Sequence, residues 1–182
     1  MKVSPYRRLE SEPLDDLKVL LQGHVFHVSQ LDSLPQILAD GLIRSNQDRS
    51  LPSAFGYLEN GYFRNRGCVS LFDYRPEPTE TISERRGRCS PFQAADPETG
   101  GIAIFILKPL AYDALVPWTR WQDEGAWSEM VVPHVEAGYP TAIPLDLVAE
   151  VITLELREDP DSLMAKHRRI RNRLANEVPD NG

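Results

Sequence analysis

The sequence has few cysteines and lacks the motifs of common nucleotide-binding and hydrolytic enzymes. Cys68 and Cys89 form no C-x-x-C pair and are too few for a disulfide framework, which favours a reducing compartment. There is no G-x-G-x-x-G, no G-x-x-x-x-G-K-[ST] and no G-x-S-x-G, which disfavours Rossmann enzymes, P-loop proteins and α/β-hydrolases. The 4 histidines have no H-E-x-x-H spacing, so no metal site is predicted.

Long apolar runs are also missing. No stretch is long enough to cross a bilayer, and the first residues carry no signal-peptide core. The formal net charge of −7 opposes binding to nucleic acid by the chain as a whole, although a local basic patch remains compatible with it. With 182 residues, of which 41% are hydrophobic, the chain has enough material for one core. We therefore expect a cytoplasmic globular protein without membrane contact.

The most informative stretch is residues 23–43, where a short apolar strand ends in a histidine and leads into a helix. Side chains alternate along a strand over 24–28, so His24 and His27 lie on opposite faces and share no ligand. The helix has a cap, an early proline and a terminal glycine, at Ser33 or Asp32, Pro35 and Gly41. A histidine at the end of a buried strand faces either a core partner or a cleft.

Further apolar segments predict strands separated by short helices. We expect helices over 14–21 and 143–148 and strands over 67–74, 101–107, 127–133 and 151–156. Residues 75–100 contain four prolines and no hydrophobic period, which predicts a long functional or mobile loop. This order indicates an α+β fold with a mixed or antiparallel sheet and short flanking helices.

The two ends of the chain differ from the middle. Residues 1–13 are polar and are predicted to be a loose lead-in, followed by the main domain over 14–158. The last segment, 159–182, contains a basic amphipathic helix whose apolar stripe is predicted to pack on the sheet, through Leu163, Ile170 and Leu174. The other interpretation of this helix is a docking site for nucleic acid or an acidic partner.

Two segments resemble ADP-ribosyltransferases, and DarT-type toxins most of all. The sequence HVS at 27–29, followed by LPQILADGL at 34–42, is similar to the H-x-T/S strand and NLPxILxxGL helix that open that family. Residues 127–133 (WSEMVVP), followed by IP at 143–144, are similar to the segment with the catalytic glutamate. Trp127 stands where arginine-modifying members carry Glu or Gln, so modification of protein arginine is disfavoured. The resemblance spans residues 24–156.

This resemblance implies a split-sheet fold that takes NAD as co-substrate, without a metal, and acts as a toxin or defence enzyme. The implied acceptor is a nucleic acid, and an antitoxin or inhibitor protein is an implied partner. The implied catalytic residues are Glu129 and His27, and the implied NAD contacts are His27, Ser29, Tyr57 or Tyr62, and Arg49 or Arg64. A tyrosine would stack on the nicotinamide and an arginine would bind the pyrophosphate.

Two alternatives stay open on the same fold. A tRNA 2′-phosphotransferase-like enzyme would need several arginines around a phosphate in the cleft. A non-catalytic interaction module would keep the fold without turning over NAD. The decisive expectation is geometric: in an active enzyme His27 and Glu129 line one pocket, and His24 does not.

Overall fold

A computed structural model describes residues 1–56 and 59–177 of the chain. The strands are β1 (Lys2–Leu9), β2 (Val25–Gln30), β3 (Leu42–Ile43), β4 (Val69–Asp73), β5 (Ile102–Leu107), β6 (Val116–Pro117), β7 (Glu136–Tyr139), β8 (Ile143–Pro144) and β9 (Val148–Arg157). The helices are α1 (Asp15–Leu21), α2 (Leu34–Asp40), α3 (Tyr62–Asn65), α4 (Glu80–Arg88), α5 (Thr119–Asp123) and α6 (Leu163–Glu177). Short 3-10 turns join several of them.

One twisted sheet organises the molecule. Within the described residues its strand order is β1-β9-β5-β2-β4-β7-β6, and β3 pairs with β8 in a separate ribbon. Strand β1 runs parallel to β9, and the other neighbours are antiparallel. The predicted α+β class with a mixed, mostly antiparallel sheet and short helices is confirmed.

The core lies on both faces of the sheet around β5. All six side chains of β5 are buried, which explains its uninterrupted apolar sequence. One face carries Phe26, Phe72 and Ile104, and α1 covers it with Leu17 and Leu21. The opposite face carries a second cluster, against which Leu34 and Ile37 of α2 pack. Gly41 ends α2 in the left-handed conformation, at φ 70°, as predicted.

The first residues are not a loose lead-in. Residues 2–9 form strand β1, which pairs with β9 along its whole length, from Lys2 opposite Glu150 to Leu9 opposite Arg157. The polar character of this strand reflects its position at the edge of the sheet, where every second side chain faces water. The pairing partner lies almost 150 residues away, which local sequence patterns do not reveal.

Residues 75–100 are also more ordered than predicted. They contain helix α4, which begins where the Thr79 side chain accepts a hydrogen bond from the Ile82 N–H at 3.3 Å. Ile82 is the buried side chain of this helix, and its other residues are mostly charged. A single buried residue leaves no helical period, so the segment resembles a loop in sequence.

Two predicted elements differ from those that the described residues form. Residues 127–133 form a turn with one parallel bridge, Gly61 to Met130, instead of a strand. The next strand is β7, which begins at Glu136. Residues 143–148, predicted as a short helix, begin as β8 and then form a 3-10 helix over Leu145–Leu147, so this prediction is confirmed only in part. In both places proline removes a backbone donor, at Pro133 and Pro144.

The carboxyl-terminal helix α6 is confirmed, but its contact face is not. Leu163 and Ile170 are 72% and 60% exposed, whereas Ala165 is fully buried. The side chain of Leu174 lies outside those described. The helix is held by polar contacts instead, because Arg168 Nη2 donates to Glu10 Oε2 at 2.5 Å and Ser162 Oγ binds Glu10 Oε1. The predicted packing of this apolar stripe on the sheet is therefore wrong.

Candidate functional site

The sheet opens between β2 and β4. These strands pair at Val25–Asp73 and Phe26–Phe72, and within the described residues their pairing ends there. Beyond this point β2 continues beside β5, and β4 continues beside β7. The two strands thus diverge and leave a cleft between the halves of the sheet.

A cavity of about 530 Å³ occupies this cleft and the space around it. Both faces of the sheet contribute, with Val28 and Phe72 from one face and Val69 and Leu71 from the other. The cavity therefore passes through the gap between the strands. Its volume lies in the range of small-molecule sites, about 300–1,000 Å³. Its polar lining includes His27, Ser29, Asp32, Ser33, Gln36, Arg64 and Glu136.

His27 bridges the gap between the strands and is one of the residues that line the cavity. Its Nδ1 lies 2.9 Å from the Ser70 carbonyl oxygen. Because a carbonyl oxygen only accepts, Nδ1 carries the proton and Nε2 keeps a lone pair. Burial lowers the pKa of His27, although the bond to Ser70 opposes this effect. The imidazole is therefore neutral near pH 7 and suited to accept a hydrogen bond.

Arg64 lines the same cavity without a partner for two of its donor atoms. Its Nε and Nη2 atoms are buried and make no hydrogen bond. Helix α3 holds the residue in place, and the next turn of chain is fixed by the hydrogen bond from Gly67 N–H to the Arg64 carbonyl. A buried guanidinium with free donors is costly, so the arrangement favours an anionic ligand.

Glu136 is one of three carboxylates among the described lining residues, with Asp32 and Asp40, and Asp40 is paired with Arg44. Glu136 lies on β7 opposite Phe72, and its Oε2 accepts the Val132 N–H at 2.6 Å. Burial raises the pKa of this carboxyl, and the bond from Val132 opposes that shift. Because Glu136 shares a face with Phe72 while His27 points to the other face, the two reach the cavity from opposite sides of the sheet.

Glu129 is placed elsewhere. Its carboxylate binds Arg66 Nη1 at 2.5 Å and Asn65 Nδ2 at 3.2 Å, and it is not among the described residues that line the cavity. The expectation that His27 and Glu129 share one pocket is therefore wrong. Of the two histidines, His27 lines the cavity and His24 is exposed before β2, as predicted.

The resemblance implies two tyrosines and two arginines as possible NAD contacts, and these residues differ in where the structure places them. Tyr62 is fully buried under the Arg66 guanidinium, which lies 3.7 Å from its ring centre, and burial raises its pKa to about 12. Its ring is therefore not available for stacking on a ligand. Tyr57 lies outside the described residues. Arg49 is partly exposed beside Glu59 and does not line the cavity, whereas Arg64 does.

The lining also contains both cysteines, but their chemistry is unpromising for catalysis. Burial raises the pKa of the Cys89 thiol to about 11 and raises that of Cys68 as well. Both thiols are therefore protonated near pH 7, and a thiol is a poor nucleophile in that form. The groups available for chemistry in the cavity are therefore His27, Arg64 and the three carboxylates of the lining, which include Glu136.

No family model, curated protein or solved structure matches this chain. Among the described residues, no group of three or more His, Cys, Asp and Glu side chains is placed to hold a metal ion. No helix in that part of the chain is both long and apolar enough to span a bilayer.

Glu136 is the residue that sequence reasoning missed. The available sequence signal is a carboxylate between two apolar residues, Val135 and Ala137, and the structure shows that both of these neighbours are buried. A charged residue flanked in this way lies within a buried segment, and its alternation places it on a defined face of the strand. The sequence resemblance lies at residues 127–133 and implies Glu129 as the catalytic carboxylate instead.

Proposed function

We propose that this chain binds NAD in the cleft between β2 and β4 and transfers its ADP-ribose to an acceptor. The observation that carries the proposal is Arg64, whose buried and unpaired donors share the cavity with His27 and Glu136. An anion with further hydroxyl groups would satisfy this set, and NAD has both a pyrophosphate and ribose hydroxyls. The opening in a mostly antiparallel sheet and the sequence resemblance over residues 27–42 support the same activity.

Each residue has a distinct role in the proposal. Arg64 binds the pyrophosphate through charge-assisted hydrogen bonds, and His27 Nε2 accepts a hydrogen bond from a ribose hydroxyl. Ser29, which is 8% exposed and lines the cavity, offers a further hydroxyl. Glu136 takes the role first assigned to Glu129. Its carboxylate stabilises positive charge on the ribose while the bond to nicotinamide breaks.

The bond changes balance without a metal or a redox partner. The electron pair of the ribose–nicotinamide bond leaves with the nicotinamide ring nitrogen, whose positive charge is thereby neutralised. The acceptor donates an electron pair to the same ribose carbon and releases a proton to water or to Glu136. A neutral His27 and a carboxylate at Glu136 are the protonation states that this step needs.

The test is nicotinamide release from NAD by the full chain, together with transfer of label from adenylate-labelled NAD to single-stranded DNA, RNA or peptide. Glu136→Gln should lower nicotinamide release by about 100-fold or more, as loss of a charge-stabilising group does elsewhere. Glu129→Gln is the matched control and should retain release within about threefold of the wild type. Thermal melting of each variant establishes that it is folded.

The result that overturns the role of Glu136 is undiminished release by Glu136→Gln. If only Glu129→Gln loses activity, the carboxylate assignment reverts to Glu129. Wild-type protein that neither releases nicotinamide nor is stabilised by NAD against thermal unfolding would rule out the proposed activity.

The second candidate is a non-catalytic module that binds a nucleotide. The position of Glu129, engaged by Arg66 and outside the cavity lining, favours it. It predicts that NAD raises the melting temperature while no nicotinamide is released. The phosphotransferase alternative has less support, since the two arginines among the described lining residues are Arg44 and Arg64, and Arg44 binds Asp40 at 3.1 Å.

A further inference from the structure

His134 has a backbone conformation that few residues other than glycine adopt. Its φ is 65°, and Arg49 is the other residue besides glycine with a positive φ in the described part of the chain. A histidine held in this region raises the energy of the fold, so surrounding contacts must favour it. Residues of this kind cluster at functional sites, and His134 lies two positions before Glu136.

The conformation belongs to a tight turn over residues 132–135. The Val135 N–H donates to the Val132 carbonyl at 3.2 Å, which closes the turn. Pro133 occupies the first central position, and a residue with positive φ occupies the second, which is the pattern of a type II turn. Glycine or asparagine is usual at that second position, so His134 stands where the turn favours a different residue.

The turn holds the Glu136 carboxylate through Val132, and both of these residues line the cavity. The Glu136 N–H donates to the Val132 carbonyl at 3.0 Å, and the Val132 N–H donates to Glu136 Oε2 at 2.6 Å. Both backbone groups of Val132 therefore bind one residue, which requires the turn to bring positions 132 and 136 together. Within the described residues no hydrogen bond is made to the other carboxylate oxygen, Oε1.

Contacts from three other parts of the chain keep the turn in place. The histidine ring lies against the ring of Trp118, at 4.4 Å and 51°, and this contact offsets part of the cost of the backbone conformation. Arg85 Nη1, on α4, donates to the Pro133 carbonyl at 3.2 Å. The Asp73 N–H, at the end of β4, donates to the Val135 carbonyl at 2.7 Å. The turn is therefore a fixed part of the fold.

We infer that His134 is a positioning residue for the Glu136 carboxylate. Its left-handed conformation keeps the Val132 N–H on Oε2 and leaves Oε1 for a ligand of the cavity. His134 is not one of the described residues that line the cavity, so it acts through Glu136 and not by contact with the ligand. The part that Glu136 plays in cleavage of NAD rests on the proposed function, but the hold on its carboxylate does not.

The test compares His134→Gly, His134→Asn, His134→Ala and His134→Val in the full-length protein. The cost of a positive φ rises in that order, because a β-branched side chain tolerates it least. In protein labelled with ¹³C at the glutamate carboxyl carbons, the Glu136 resonance, assigned with Glu136→Gln, reports the pKa of this carboxyl. The bond from Val132 lowers that pKa, so its loss in His134→Val should raise the pKa. His134→Gly and His134→Asn should keep the wild-type value.

The kinetics of nicotinamide release give the second readout. In His134→Val kcat should fall by about 10- to 100-fold while KM for NAD stays within about twofold, because the carboxylate is misplaced and the binding groups are not. His134→Gly should restore kcat, and His134→Ala should be intermediate. Arg49→Val is the matched control. It disturbs the other left-handed residue, which does not line the cavity, and should leave the pKa of Glu136 unchanged.

An unchanged Glu136 pKa in a folded His134→Val protein overturns the inference, and so does an equal change of pKa or kcat in His134→Gly and His134→Val. Thermal melting establishes that each variant is folded, and His134→Ala provides the comparison if His134→Val is not. The carboxyl titration needs no NAD. A wild-type chain that releases no nicotinamide would therefore defeat the proposed function, while the titration would still decide whether His134 positions Glu136.

Discussion

Arg64 carries a charge that the described protein groups do not fully satisfy. Its buried Nε and Nη2 atoms make no hydrogen bond, whereas Arg49 reaches the Glu59 carboxylate at 3.7 Å in a more exposed position. The difference identifies Arg64 as the arginine whose surroundings gain most from a bound anion. A fold that keeps such a group gives up stability for binding.

Replacement of Arg64 should make the protein more stable and abolish its response to NAD. Arg64→Met removes buried donors that lack partners, so the free energy of unfolding should rise by about 1–3 kcal/mol. The stabilisation of the protein by NAD should disappear in the same variant. Arg49→Met, the control, should change the free energy of unfolding by less than about 0.5 kcal/mol and keep the response to NAD.

Urea unfolding with and without NAD measures both quantities. An Arg64→Met protein that is still stabilised by NAD to the wild-type extent contradicts the assignment of Arg64 to the pyrophosphate.

Glu136 should make stability depend on pH. Burial raises its pKa above the ordinary value near 4.5, so between that value and the raised pKa the folded chain holds a proton that the unfolded chain has released. Its contribution to the free energy of unfolding is therefore present below about pH 4.5 and is lost as pH rises through the raised pKa. The loss is about 1.4 kcal/mol for each unit by which the pKa is raised.

Glu136→Gln removes this titration. Relative to wild type, the variant should gain stability as the pH increases from about 4 to about 8, because glutamine stays neutral. Urea unfolding at several pH values measures the difference. Glu129→Gln is the comparison, and it should be less stable than wild type because it breaks the ion pair with Arg66. Parallel pH profiles for wild type and Glu136→Gln would contradict the buried position of this carboxylate.

At the scale of elements, the junction of β5 with β9 depends on one glycine. Gly101 precedes β5 with a φ of 119°, and a Cβ atom there would lie 2.0 Å from the Leu154 carbonyl oxygen. That space is occupied by backbone, which cannot move without disturbing the pairing of the two strands. The site therefore requires glycine for both its conformation and its close approach.

Gly101→Ala should lower the free energy of unfolding by about 3 kcal/mol or more, because strain and a backbone clash act together. Gly87→Ala is the matched substitution within helix α4, where nothing lies within 4 Å of the added Cβ. It should raise stability by about 0.5–1 kcal/mol, the difference between glycine and alanine in a helix. Thermal and urea unfolding compare them, and equal effects of the two substitutions would contradict this account.

Elements with a strong local pattern were predictable, and those fixed by distant partners were not. The run at β5 and the proline and glycine that bound α2 are local signals, and both elements form as expected. Strand β1 is polar, and its pairing with β9 is settled by contacts remote in sequence. The turn at 127–130 has the residues of a strand, but Glu129 binds Arg66, the residue that follows α3, instead. Local propensity does not contain such tertiary contacts.

The same distinction applies to the candidate site. His27 and Ser29 were identified from a short strand and the helix after it, which are contiguous in sequence. Arg64 was one of two alternatives, and only the position of α3 beside the cleft separates it from Arg49. The proposed catalytic carboxylate moves from Glu129 to Glu136 because of where β7 begins. That position is decided by the pairing of β7 with β4.

For the whole molecule, the opening between β2 and β4 divides the sheet into two halves with a narrow joint. The joint includes two paired positions, and next to them the Gly23 N–H donates to the Tyr74 carbonyl at 2.9 Å and the Tyr74 N–H to the His24 carbonyl at 2.8 Å. It also includes an aromatic cluster in which Phe72 stacks on Phe26 at 5.3 Å and meets Tyr74 edge-on at 6.1 Å. The halves β1-β9-β5-β2 and β4-β7-β6 are otherwise bridged at the cleft by His27 and the Ser70 carbonyl. Cooperative unfolding of the molecule should therefore depend on Phe72.

Phe72→Ala should lower the free energy of unfolding by about 3–5 kcal/mol, as expected for loss of a buried aromatic ring. Leu154→Ala, at a fully buried position of β9 in the same core cluster, should cost a similar amount, about 2–5 kcal/mol.

Hydrogen exchange distinguishes the two variants. In Phe72→Ala the amides of β4 and β7 should exchange faster than those of β5 and β9, because the smaller half opens by itself. In Leu154→Ala the two halves should remain coupled, since the joint is intact. Equal acceleration across both halves in Phe72→Ala would mean that the cleft lies within one cooperative unit, and that a ligand bound there orders no independent part of the sheet.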